Sequence, residues 1–201
     1  LEALINLLTV NETYFFRESR QIYFLTEKSV RTKEKIRILC APGSTGEEPY
    51  SIAIALLEGG YPSDRIEIVS LDINSDVVVL AKEGCYNARS LHKTPLSLQE
   101  KYFTKEEDGF KISNNVKRLV TFHTLNVFDE SLFDLGLFDT IFSRNMLIYF
   151  DEATVIRAVE RLGSLARNKE SLLFFGHADF VKTPPSLIEH YEEGIKFYTV
   201  A

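Results

Sequence analysis

Apolar residues recur along this chain in two alternating rhythms, short β-branched runs and longer stretches of helical spacing, which together predict strands separated by helices. Leu1, Leu4, Ile5 and Leu8 share one helical face before a polar segment at 9–12, and this reads as the tail of a helix. Phe15 through Leu25 forms a second amphipathic piece, predicted to pack against the main domain. Ile36-Arg37-Ile38-Leu39-Cys40-Ala41 is a β-rich run closed by Pro42-Gly43, which reads as a buried first strand. From Glu47 the pattern turns helical through Leu57, with Pro49 tolerated in the first turn and Gly59-Gly60 just past the end.

The alternation repeats with a strand over Ile66 to Leu71, Asp72 at its end, and a helix from about Ser75 to near Gly84. Between 85 and 118 it breaks into a charged stretch with a short helical piece at Leu98 to Phe103 and Asp108-Gly109 flanked by strand formers. This predicts a small inserted subdomain with a hairpin. Leu119 to Leu125, Phe138 to Ser143, Ser171 to Phe175 and Ile195 to Val200 supply further strands, and Glu152 to Ala166 a helix. The expected fold is a mainly parallel α/β sheet, with residues 1–30 as a helical segment and linker and 31–201 as the main domain.

Length and composition bound what this fold does. The 201 residues suffice for one domain with a sizeable core, and 45% hydrophobic with 26% charged residues exclude a disordered or collagenous chain. The net charge of −6 provides no global basic field for nucleic acid. The longest apolar stretch, Ile52 to Leu57, is far short of the roughly 20 residues that span a bilayer, so no membrane insertion is expected. Cys40 and Cys85 are isolated and His92, His123, His177 and His190 show no ligand spacing, so neither disulfides nor a metal is expected. Leu1 to Val10 lacks the basic start of a signal peptide, which points to the cytoplasm, and the chain opens without Met, as an excised domain would.

The strongest chemical signal is Leu39-Cys40-Ala41-Pro42-Gly43-Ser44-Thr45-Gly46-Glu47-Glu48, where the first strand hands over to the first helix. Ligands of open α/β sheets lie beyond the carboxyl ends of the strands, and glycine there admits close backbone approach. The Gly43-x-x-Gly46 spacing is neither a P-loop nor GxGxxG, and two acidic residues at the helix start repel a pyrophosphate. They suit an ammonium group, while Asp72 can accept from two ribose hydroxyls. Nucleoside plus amino acid points to S-adenosylmethionine. Taken singly, Glu47 and Glu48 also complement a helix dipole, and an Asp after a strand also caps the next helix.

Five segments then resemble the CheR-type chemotaxis receptor methyltransferases: Asn11-Glu12-Thr13-Tyr14-Phe15-Phe16-Arg17-Glu18, the 44–53 block, Leu71-Asp72-Ile73, Phe142-Ser143-Arg144-Asn145-Met146-Leu147-Ile148-Tyr149-Phe150-Asp151, and Phe175-Gly176-His177. The resemblance implies a class I S-adenosylmethionine-dependent methyltransferase, a Rossmann-like mixed sheet with helices on both faces and a β-subdomain at about 85–118. It implies O-methylation of glutamate side chains on the cytoplasmic domain of a chemoreceptor, by a monomer. It places Asn11, Thr13 and Arg17 over the cofactor, Ala41 and Gly43 in its turn, Glu48 near its amino group and Asp72 on the ribose. Asn126 and Val127 would flank the adenine, Ser143 and Arg144 would line the pocket, and Asn145 and Tyr149 would face the methyl-transfer site.

Two positions depart from the family pattern: Pro42-Gly43 stands where other small residues are frequent, and Ser143 replaces a frequent Cys. The helical N-terminal domain that members use for docking is represented at most by Leu1 to Leu8. The 104–109 turn is shorter than in members that bind a tether peptide, which predicts action without a tight tether. A glutamate carboxylate, with a pKa of about 4.3, is ionised at neutral pH and can attack a sulfonium methyl without a general base. Arg17 would clamp that carboxylate and Tyr149 orient it; by residue type alone, Arg17 reads as a surface ion pair with Glu18 or Glu12, and Tyr149 as a core aromatic. Another protein or a small carboxylate remains open as substrate, as does a non-catalytic cofactor-binding scaffold.

Overall fold

The computed structural model describes residues 13–30, 34–179 and 182–201. The expected helix at Leu1 to Leu8 and the candidate Asn11 lie outside them. The chain runs α1 (Ser19–Val30), β1 (Ile36–Cys40), α2 (Glu47–Glu58), β2 (Ile66–Asp72), α3 (Ser75–Glu83), β3 (Cys85–Tyr86), α4 (Leu96–Tyr102), β4 (Phe103–Glu106) and β5 (Gly109–Ile112). It continues through α5 (Asn114–Lys117), β6 (Val120–Thr124), β7 (Thr140–Ser143), α6 (Glu152–Gly163), β8 (Leu172–Phe175), β9 (Leu187–Glu192) and β10 (Ile195–Val200).

Seven strands form one sheet in the order β6-β2-β1-β7-β8-β10-β9. β6, β2, β1, β7 and β8 are parallel, while β10 runs antiparallel to both β8 and β9. The chain moves outward from β1 in one direction through β2 and β6 and in the other through β7 and β8. A crevice therefore opens beyond the carboxyl ends of β1 and β7, where open α/β sheets bind their ligands.

Both faces of the sheet are covered, as expected. Ile38 and Cys40 of β1 join a buried cluster with Phe15, Ile22, Leu25, Tyr50, Ile54 and Phe174 under α1 and α2. Leu39 and Ala41 point the other way, into a cluster with Ile141, Val155, Val159 and Leu162 under α6. This is the period-2 alternation of a strand buried on both sides. α6 earns its place through Val155, Ala158, Val159 and Leu162, one helical stripe, and starts where Asp151 accepts from the Thr154 amide at 2.8 Å. Among the described residues no helix is long and apolar enough to cross a membrane.

The insert is a three-stranded antiparallel sheet, β3-β5-β4. Its hairpin turns at Glu107-Asp108, with Glu106 paired to Gly109, as the Asp-Gly signal predicted. Phe15, fully buried, joins it to the main domain: its ring meets Tyr86 edge-on at 4.8 Å and Phe103 at 5.0 Å.

Three expectations need correction. The helix read at Phe15 to Leu25 begins only at Ser19, because Phe16 and Glu18 have left-handed φ values of 59° and 49° that interrupt any helix. Strand β9 was not predicted: it is the outer edge strand, with Ile188 and Tyr191 exposed, so it lacks the apolar run that marks the inner strands. The insert's helix starts earlier than read, at Leu96 behind Pro95.

Phe174 is fully buried, stacked on Phe142 at 4.7 Å and ringed by Phe24 and Phe197. Phe174→Ala should therefore lower unfolding stability by about 3–5 kcal/mol, measured by urea denaturation; a loss under about 1 kcal/mol would mean that α1 and β8 are not packed this way.

Candidate functional site

The crevice is built from the turns that follow β1, β2, β6, β7 and β8. After β1 the chain folds tightly over β2: the Gly43 amide donates to Leu71 O at 2.8 Å, and a Cβ on Gly43 would lie 1.7 Å from Ser70 Oγ. The glycine is thus demanded by the neighbouring strand, a different reason from the close ligand approach expected of it. Ser44 and Gly46 take left-handed φ values of 47° and 94°, so the turn ends with α2 starting under the crevice.

Asp72 closes β2 and is 5% exposed. Its Oδ2 accepts from the Ser44 amide and its Oδ1 from the Asn74 amide, each at 2.9 Å. The alternative of a helix cap is resolved locally, since Asn74 caps α3 by accepting from the amides of Asp76 and Val77. Burial raises the Asp72 pKa, and those amides pull it part of the way back. The Ile73 amide adds to them, and since a carboxylate has about four acceptor sites, capacity remains for a hydroxyl donor.

The two acids opening α2 divide their work. Glu47 turns toward the insert, its carboxylate accepting from Thr45 Oγ1 at 2.6 Å and Ser90 Oγ at 3.2 Å. Glu48 turns toward the crevice, where its Oε2 accepts from Nε and Nη2 of Arg144. Its Oε1 is buried with no hydrogen-bond partner. Burial raises the Glu48 pKa and the Arg144 charge opposes that rise.

Arg144 follows β7 and is only 6% exposed. Its Nη2 donates to Arg17 O at 3.0 Å, and its Nη1 to Glu18 O at 3.3 Å and Gln21 Oε1 at 3.4 Å. The guanidinium therefore ties the 17–21 segment to α2 and β7. Glu18 Oε2 lies 3.7 Å from Arg144 Nη1 and 3.4 Å from His177 Nδ1, without a hydrogen bond. The hydroxyls of Ser44 and Ser143 are likewise buried and unbonded.

The other candidates surround this centre. Arg17 is half-buried, its guanidinium 6.0 Å from the Tyr14 ring centroid. Thr13 is half-buried ahead of it. Asn126 and Val127 follow β6 beside Asp72, with the Leu125 amide donating to Asp72 O at 2.9 Å. Asn126 Oδ1 accepts from the Phe128 amide, and Val127 is buried. Asn145 sits beyond Arg144 with a left-handed φ of 61°. Tyr149 is 60% exposed, which overturns the reading of a core aromatic. The residues not anticipated are Gln21, Glu18 and Asp179; Asp179 is 3% exposed and accepts from the amides of Gly176, Asn145 and Leu147. Among the described residues no group of three His, Cys, Asp or Glu side chains is placed to hold a metal ion.

The family model for the CheR methyltransferase SAM-binding domain matches residues 11–196. The chain belongs to the CheR methyltransferase family. It is 37% identical over 210 residues to chemotaxis protein methyltransferase 2 of Vibrio cholerae, covering 98% of this chain and 73% of that one. It is 36% identical to the chemotaxis protein methyltransferase of Campylobacter jejuni, covering 90% and 68%. A third relative, the probable biofilm formation methyltransferase WspC of Pseudomonas aeruginosa, is 34% identical, covering 89% of this chain and 44% of that one.

S-adenosylmethionine is the cofactor of this family's domain, and the crevice fits it. An unpaired buried oxygen on Glu48 suits an ammonium group, and a carboxylate with spare acceptor capacity on Asp72 suits a ribose.

Glu47 gives the site's electrostatics a direct test, since burial is the largest cause of its raised pKa. Its share of stability is then fully present below the unfolded carboxylate pKa of about 4.3 and is lost as pH rises through the higher folded value. Glu47→Gln, which carries no charge, should gain stability relative to the parent protein as pH rises above about 4.3 and through the folded value. Urea unfolding at steps of pH reads this; a constant or shrinking difference would contradict it.

Proposed function

We propose that this domain transfers the methyl group of S-adenosylmethionine to a carboxylate oxygen of glutamate side chains on the cytoplasmic domain of a chemoreceptor. The observation that carries the proposal is the unpaired, buried Glu48 oxygen in the turn region after β1, next to the strand end that carries Asp72. The printed names of the Vibrio and Campylobacter relatives support chemotaxis as the setting. Similarity to WspC supports a second reading, the same reaction on a receptor that governs biofilm formation.

When bound, S-adenosylmethionine supplies an electrophilic methyl group on a sulfonium. Glu48 would give its free oxygen to the ammonium and Asp72 would accept from the ribose hydroxyls, with Asn126 and Val127 beside the base and Ala41, Gly43, Ser143, Thr13 and Arg17 lining the rest of the site. The incoming glutamate is already ionised, so no base is needed. Arg17 clamps one acceptor oxygen, and Tyr149, a neutral donor, orients the carboxylate without quenching the attacking lone pair. Asn145 frames the same position. Alignment of nucleophile and methyl at about 3–3.5 Å then supplies several kcal/mol of the rate enhancement.

The insert's edge strand β4 is four residues long and joined to β5 by a two-residue turn, a short edge for strand addition. This supports action without a tight tether peptide, so receptor fragments lacking their C-terminal residues should be methylated as well as intact ones.

Two measurements test the reading. Asp72→Ala should weaken S-adenosylhomocysteine binding tenfold or more in calorimetry, about 1.4 kcal/mol per decade; unchanged affinity would remove Asp72 from the cofactor site. With radiolabelled methyl donor, receptor cytoplasmic fragments should acquire base-labile ester. Tyr149→Phe and Arg17→Ala should lower that rate more than they weaken cofactor binding. Normal turnover by Tyr149→Phe would refute the orienting role.

A further inference from the structure

We propose that Asp179 is the positioning residue of the acceptor side of this site, its carboxylate locking Asn145 and the turn that presents Tyr149 against the end of β8. The proposal rests on the function argued above for Asn145 and Tyr149.

Asp179 is a buried carboxylate without a partner cation among the described residues, and its acceptor capacity is spent on main-chain amides. Oδ2 accepts from Gly176 N at 2.6 Å and from Asn145 N at 3.0 Å, and Oδ1 accepts from Leu147 N at 3.0 Å. The Ile148 amide adds to the same set. These donors come from two loops, one after β8 and one after β7. The first loop is folded back by Asp179 itself, whose amide donates to Gly176 O at 3.2 Å.

The second loop is the one that matters for transfer. Asn145 is held at φ 61°, a conformation a non-glycine residue keeps only when its surroundings over-determine it. Leu147 opens the 3-10 turn that ends in Tyr149. Tyr149 itself is mostly exposed, so packing does little to hold it, and its position depends on the backbone of that turn. Gly176 completes the seam: a Cβ there would lie 2.8 Å from Asp179 Oδ2 and 3.1 Å from both Asn145 N and Nδ2.

A buried carboxylate is costly unless it is hydrogen-bonded, and with every donor a backbone N–H the charge is satisfied only while both loops keep this geometry. Ionised, it is acceptor-only, which matches a cluster made entirely of N–H groups. Asn in its place would present an NH2 to one of those amides, and Glu would push the same charge too far into the seam. A shift of about 1 Å in a group that aligns reactants lowers transfer about 100-fold.

The test compares Asp179→Asn and Asp179→Glu with the parent protein. Three expected results support the inference. Either folded variant loses about 10- to 100-fold in kcat, with S-adenosylhomocysteine affinity within about threefold of the parent. Combining the variant with Tyr149→Phe adds little to the larger single loss, because both act through one position. The fluorine resonance of 3-fluorotyrosine at position 149 shifts or broadens, and the amides of Asn145, Leu147 and Gly176 exchange faster.

An unshifted resonance, unchanged kcat, multiplying losses in the double variant, or cofactor affinity falling in step with rate would each overturn it. Failure of both variants to fold would overturn it in favour of a purely structural role. The fluorine and exchange readings need no turnover. A parent protein that binds the cofactor but methylates no acceptor therefore rejects the function proposed above, while these readings still decide whether Asp179 holds Tyr149.

Discussion

Glu48 and Arg144 meet in the interior, and the site depends on that contact. Glu48 opens α2, Arg144 follows β7, and the same guanidinium donates to Arg17 O, Glu18 O and Gln21 Oε1. One ion pair thus joins α2, the end of β7 and the 17–21 segment. Removing one partner of such a buried pair commonly costs about 3–5 kcal/mol, since the other charge is left without compensation. Only one oxygen of Glu48 is engaged, so the pair holds the segment in place and still leaves an acceptor toward the crevice.

Strain gathers in the same place. Of the five non-glycine residues with left-handed φ among those described, Phe16, Glu18, Ser44 and Asn145 all border the crevice. Such conformations cost of order 1–3 kcal/mol each and persist where neighbouring contacts enforce them. Here the enforcing contacts are visible: the Phe16 amide on Ser51 Oγ, the Ser44 amide on Asp72, the Asn145 amide on Asp179, and Glu18 O under Arg144. The buried aromatic layer of Phe142, Phe174, Phe24 and Phe197 beneath α1 supplies the stability against which this strain is held.

The crevice is also electrostatically one-sided. Glu48, Asp72 and Asp179 are each driven toward higher pKa by burial, and Arg144 is the buried cation paired with Glu48. A site so built disfavours phosphate and favours a ligand that brings positive charge, which S-adenosylmethionine carries on both its ammonium and its sulfonium.

Much of this was legible in the residues themselves. Ile36 to Ala41 announces a buried strand because a β-rich run closed by Pro42-Gly43 has few other solutions, and Asp-Gly at 108–109 announces its hairpin through local turn chemistry. The motifs around Glu48, Asp72 and Arg144 point to the cofactor because they are contiguous in sequence. Local rules could not reveal edge strand β9, whose exposed side chains carry no period, or the left-handed break at Phe16 and Glu18 that delays α1 to Ser19. They could not tell that Gly43 answers to Ser70, that Asn74 rather than Asp72 caps α3, or that Tyr149 stands in solvent. Nor could they bring Asp179 to Asn145, 34 residues away. The sequence by itself determined the layered α/β class and the cofactor chemistry, because hydrophobic period and short motifs are local properties. Which acid faces the ligand, which is buried against the insert and which holds the acceptor loop were decided only when distant strand ends came together, because the partners of a buried charge are chosen by tertiary packing.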